Sequence, residues 1–264
     1  MTKYSLLSIF AFALLTSGCY FMGPKPCEKG KGGIETGSFG LSNFDEVQLD
    51  LDAEVVLHQD STYKIEVEAQ PNILDLIDVR KVGSRLQLRT DACFSGSPVI
   101  KIHVFMPQVK AIELNSSGSI LSANKFVNND MGSNLDIKIN GSGDVQFQGD
   151  AGAIRNTISG SGDVILEGSA ESVETTINAS GDFNWKNGKA DDYKVRINGS
   201  GGVYSFESDV KDADLGITGS GNIEVRLNGE LNVNIAGSGS VYYKGQPTGF
   251  NANITGSGKV VNKN

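Results

Sequence analysis

Apolar and polar residues alternate along much of this chain, and beyond Leu114 the alternation is itself repeated. The stretches VQLDLDAEVVLH, YKIEVEA, RLQLR and VIKIHVFMP, all before Leu114, place an apolar residue at nearly every second position, the period of half-buried β-strands. The stretch NILDLIDVRK breaks that period and predicts one or two helical turns at most. Then a motif begins to recur: INGSGDV at Ile139, ISGSGDV at Ile158, followed by INASGDF, INGSGGV, ITGSGNI, IAGSGSV and ITGSGKV. Its second glycine falls at Gly118, Gly143, Gly162, Gly181, Gly201, Gly221, Gly239 and Gly258, in steps of 25, 19, 19, 20, 20, 18 and 19 residues. So regular a period predicts a stacked repeat architecture.

Each unit reads as strand, Gly-Ser-Gly corner, strand, polar loop. Before the corner stand Leu114, Ile139, Ile158, Ile177, Ile197, Ile217, Ile235 and Ile254, and four places earlier in the last seven units Leu135, Ile154, Val173, Tyr193, Ala213, Leu231 and Phe250. Alternation puts both columns on one strand face. After the corner come Ile120, Val145, Val164, Phe183, Val203, Ile223, Val241 and Val260. Asn140-Gly141 is also a good hairpin signal, which would suit an antiparallel meander. Like residues recurring in every unit favour parallel coils of roughly 19 residues stacked about 4.8 Å apart. In such a stack the corner serines and Asn115, Asn140, Asn178 and Asn198 form polar ladders. The fold class is therefore an all-β parallel solenoid, or β-helix, with an irregular strand-rich N-terminal part.

Composition sharpens this picture. The 264 residues include 33 glycines and 6 prolines, which without a collagen period points to turns at fixed places. A formal charge of −8 with no Lys/Arg block argues against nucleic-acid binding and against adsorption to anionic lipid head groups. The start is a targeting segment: a short basic run, the apolar stretch YSLLSIFAFALL, then small residues leading to Cys19. This resembles a bacterial lipoprotein signal, although Thr16 stands where Leu is usual. The division that follows is 1–18 signal peptide, 19–33 flexible tether, 34–114 strand-rich N-terminal part and 115–264 repeat solenoid. Cys19 is the candidate lipidation site, giving a membrane anchor and an outer-membrane destination, on either the periplasmic or the surface side. Cys27 and Cys93 are candidates for a disulfide in that oxidising compartment.

From FDEVQLDLDAEVVLHQDSTYKIEVEAQPNILDLI through LQLRT and VIKIHVFMPQVKAIELNSSGSI into the repeats, roughly residues 34–262, the chain resembles the putative auto-transporter adhesin, head GIN domain family. The resemblance implies a right-handed parallel β-solenoid on a signal-bearing or lipidated chain, and adhesion as a function. It carries no catalytic residues.

The residues themselves offer little chemistry. His58 and His103 lie in separate strands, and the corner serines have no His or acid at a recurring offset, so no nucleophile elbow is present. Asp144, Asp163 and Asp182 follow the corner glycine in three successive units, and stacking brings their charges together. Calcium is the one candidate cofactor, since carboxylates suit a hard cation; the other units carry Ser119, Gly202, Asn222, Ser240 and Lys259 there, which favours a solvated acidic stripe. Tyr204 and Tyr242 face outward by alternation and are candidate ligand contacts, whereas Trp185 shares a face with Phe183 and packs inside. The reading is a non-enzymatic, envelope-tethered scaffold or adhesin-like binding module for protein or glycan ligands. The alternative is a polysaccharide-binding or polysaccharide-processing β-helix, for which turnover of a uronic-acid polymer abolished by Asp163→Asn is the discriminating result. An uncovered solenoid end also makes self-association an expectation.

Overall fold

The computed structural model describes residues 26–127 and 133–264. The signal segment and Cys19 lie outside the described residues. Beyond Ala111 every strand pairing is parallel, so the repeats form coils and not hairpins. The register is the one the repeat predicts. Leu114 pairs with Ile139, and Ile158, Ile177, Ile197, Ile217, Ile235 and Ile254 follow rung by rung. The column after the corner runs just as directly from Ile120 through Val145 and Val164 to Val260. Both columns are buried up to the last coil, and Trp185 lies fully inside with its Nε1 donating to the Gly168 carbonyl at 2.8 Å.

The corner glycines are there for contact between coils. A Cβ on Gly162 would collide with the carbonyl oxygen of Gly143 in the coil before it, and one on Gly143 with that of Gly118. The corners are held by backbone bonds instead, such as Ser238 and Gly239 N–H donating to the Gly219 carbonyl at 2.9 and 3.1 Å. The serine side chains between them point into solvent, and among the described residues one hydroxyl rung closes, Ser220 to Ser238 at 3.1 Å. The asparagine ladder is more complete: Asn140 donates to Asn115 at 2.7 Å and Asn198 to Asn178 at 3.0 Å.

The stack crosses residue 114 without a break, because Leu114 also pairs with Leu49, and Leu49 with Leu88. Chain order and stack order differ here. Strands Glu46–Asp50 and Glu54–Gln59 make one coil; strands Arg85–Arg89 and Lys101–Met106 make the coil beneath it; the chain then returns to the upper side as Ala111–Leu114. Strands Glu35–Phe39, Lys64–Ala69 and Asp78–Val82 pair antiparallel around the lower end and close it. The helix there is one turn, Pro71–Leu74, with Pro71 at its start and Ile73 buried. Cys27 and Cys93 form a disulfide with their Cα atoms 4.5 Å apart, beside the pairing of Glu28–Lys29 with Phe94–Ser95. The segment expected as a flexible tether up to residue 33 is thus docked from Cys27 onward, with Lys31 N–H and the Lys29 carbonyl both bonded to the Asn72 amide.

Candidate functional site

After the strand that follows the Gly-Ser-Gly corner the coils turn a second time, and strands Asp144–Ile158, Phe183–Gly199 and Gly202–Gly219 run through that bend. Strand Asp144–Ile158 loses its in–out alternation at Asp150–Ala151, marking the turn. One fixed offset before Ile158, Ile177, Ile197 and Ile217 stand Ala151, Ala170, Ala190 and Val210. Three successive alanines leave this bend underfilled, and a trough of about 630 Å³ runs along the stack across it. Its floor is those four small residues, and its rim carries Asp150, Glu171, Lys189, Asp191, Asp209 and Lys211.

The rim charges are not equivalent. Asp150 is paired with Lys125 and accepts the Ser169 N–H at 2.9 Å; Lys211 meets Asp212 at 3.5 Å and Asp209 meets Arg226 at 3.9 Å. Glu171, Lys189 and Asp191 enter no ion pair among the described residues and are exposed. The floor is apolar and the unspent charges are at the edge, an arrangement that seats an extended chain and orients it by its polar groups. The alanine column was in the sequence as a recurring offset, but alanine there resembles ordinary filler.

The residues singled out from sequence lie elsewhere. Asp144, Asp163 and Asp182 do form a row, and each spends an oxygen on the next coil: Asp144 accepts the Asp163 N–H at 2.9 Å, Asp163 the Asp182 N–H at 2.8 Å, and Asp182 the Gly202 N–H at 2.7 Å. Asn222 serves the Ser240 N–H in the same way at 3.2 Å, so the position is a backbone cap in more than one chemistry. Burial, and then the neighbouring Asp163, push the Asp182 carboxyl above its ordinary pKa against the pull of the Gly202 N–H. Among the described residues no group of three or more His, Cys, Asp or Glu is placed to hold a metal ion. In each of the three acids one carboxylate oxygen is taken by a backbone donor of the next coil.

Tyr204 and Tyr242 share one outer column with Glu224 between them. Tyr204 is exposed and lies over Gly202, where burial and then the carboxylates of Asp182 and Glu224 raise its pKa. Tyr242 is covered by the Lys263 ammonium 5.1 Å from its ring centre. Sequence reasoning kept His58 and His103 apart, yet the coil order stacks them: His58 Nε2 and His103 Nδ1 are 3.0 Å apart, and His58 lies flat on Phe105 at 4.3 Å. His103 Nε2 in turn lies 3.9 Å from a Glu68 carboxylate oxygen.

The family model described as a putative auto-transporter adhesin, head GIN domain, matches residues 43–209 and 186–247. Among solved structures, a putative lipid binding protein from Parabacteroides distasonis is similar at 24% identity and a TM-score of 0.83, covering 90% of this chain and 100% of its own. A putative adhesin from Parabacteroides merdae is similar at 21% identity and 0.83, covering 90% and 99%. A putative adhesin from Bacteroides fragilis is similar at 20% identity and 0.64, covering 89% and 99%. No curated protein matches the chain.

Proposed function

The chain belongs to the putative auto-transporter adhesin, head GIN domain family, and from that premise we propose that it is a non-catalytic binding module, lipid-anchored at Cys19 and presented at the cell surface. The observation that carries the reading is the trough. Its alanine floor accepts the flat side of an extended peptide or glycan chain, and Glu171, Lys189 and Asp191 remain unspent to bond that chain's polar groups. The engagement of Asp144, Asp163 and Asp182 with backbone N–H groups supports reading those acids as architecture and not as catalysts. Anchoring suits the geometry, because Cys27, only a few residues from Cys19, is bonded to Cys93 at the closed lower end, leaving the length of the stack to project.

The test is an array of glycans and extracellular-matrix proteins probed with the wild-type chain and with Ala170→Trp, which fills the trough from its floor. The wild type is expected to retain a defined subset, and the variant to bind that subset at least about tenfold more weakly at an unchanged melting temperature. Equal binding by both chains would remove the trough from the account, and an array blank for the wild type would remove the binding role.

A further inference from the structure

The two ends of the stack are built differently. The lower edge is made of strands Glu35–Phe39 and Asp78–Val82, which carry Glu35, Asp78, Arg80 and Lys81, the charges that keep an exposed strand edge from pairing. The upper edge is strand Gly249–Gly256, sequence GFNANITG, and it has no charge, no proline and no register shift against Glu230–Gly237 below it. Among the described residues no strand lies beyond it. The columns that are buried in every earlier coil therefore end in the open: Phe250 is 54% exposed and Ile254 40%, where Leu231 and Ile235 beneath them are 0%.

We propose that this edge is an interface with a second copy of the same chain, two Gly249–Gly256 strands pairing antiparallel across a two-fold axis at Ala252. Antiparallel pairing about residue 252 sets Phe250 of one copy opposite Ile254 of the other, twice. The two exposed apolar residues on the inner face then cover each other as cross-strand aromatic and β-branched pairs. On the outer face the same register sets Asn251 opposite Asn253, amide against amide. A two-fold interface must be self-complementary, and this strand is so in its own sequence.

Charge permits the arrangement. Residues 231–264 contain Lys244, Lys259 and Lys263 and no acid, so two such ends would repel if all three lysines faced outward. Lys244 is held 4.4 Å from the centre of the Phe206 ring and Lys263 lies over Tyr242, both rings belonging to earlier coils. These two ammonium groups point back along the stack, and only Lys259 stays at the rim, on the other strand of the coil. A partner with acidic flanks has less to recognise here than a second neutral edge has.

Sedimentation of the full chain carrying Cys19→Ser, so that no acyl group drives association, tests the proposal. A concentration-dependent dimer is expected. In Phe250→Lys/Ile254→Lys the dimer should weaken at least about tenfold, because facing like charges replace apolar pairs. The melting temperature of the dilute monomer should stay where it was, since both side chains are already exposed. The register is read separately: Ala252→Cys should cross-link two copies under mild oxidation, and Asn251→Cys should not, because it faces residue 253. A wild type that is monomeric at every concentration, a dimer indifferent to the two lysines, or cross-linking at 251 in place of 252 would each overturn the proposal.

Discussion

Asn156 shows how strictly position decides a residue's fate in this stack. It sits in the inner column between Ile137 and Thr175, wholly buried, and among the described residues neither its amide nitrogen nor its oxygen has a hydrogen-bond partner; the Thr175 hydroxyl beside it is likewise unpartnered among them. A buried amide left unbonded costs about 1–3 kcal/mol, whereas Val195 and Leu215 fill the same column at no such cost. Asn156→Leu is therefore expected to stabilise the fold by about 1–3 kcal/mol in urea unfolding. A loss of stability would show that the amide is satisfied, for instance by an internal water. The glycine and aliphatic columns were legible in the sequence because each is forced by contact with the coil below. Asn156 was not, since a polar residue at an inner position looks like any polar residue until the register is fixed.

At the scale of strands, charge ladders run across the coils. Asp136, Arg155, Glu174 and Lys194 stand on successive rungs with alternating sign, Arg155 reaching Glu174 at 3.3 Å and Lys194 reaching it at 2.9 Å. The Lys194 bond first, and Arg155 with it, hold the Glu174 carboxyl below its ordinary 4.5. That support is present above about pH 4.5 and is lost as pH falls through the lower folded value. The histidine pair acts earlier. Burial, and then His103, lower the pKa of His58 from 6.5 against the pull of Asp60 and Glu66. The folded state binds fewer protons there than the unfolded one, so stability declines as pH drops below about 6.5 towards the folded value. Melting temperature is expected to fall between pH 7.5 and pH 5.5, and to fall less in His58→Gln; an equal fall in both would place the acid sensitivity elsewhere. The pair was invisible in sequence because it depends on the coil from Arg85 to Met106 lying beneath the one from Glu46 to Gln59. Alternation marks a strand but does not say which coil it joins.

The described residues form an acidic rod with unlike ends: one closed by antiparallel strands and tied to Cys27 by the Cys27–Cys93 disulfide, the other bounded by the uncharged strand Gly249–Gly256, with a trough along its flank. The repeat period carried the architecture, because one rung per unit follows directly from like residues at like intervals. The proposed function was less legible, since a trough floored by Ala151, Ala170 and Ala190 has no chemistry of its own and exists only where the stack brings the three together. The account turns on that flank being displayed outward from the cell. Lys189 and Lys211 on its rim report this directly when intact cells are treated with a membrane-impermeant amine reagent and the two peptides are quantified by mass spectrometry. Surface presentation predicts modification on intact cells equal to that after lysis; modification only after lysis would contradict it.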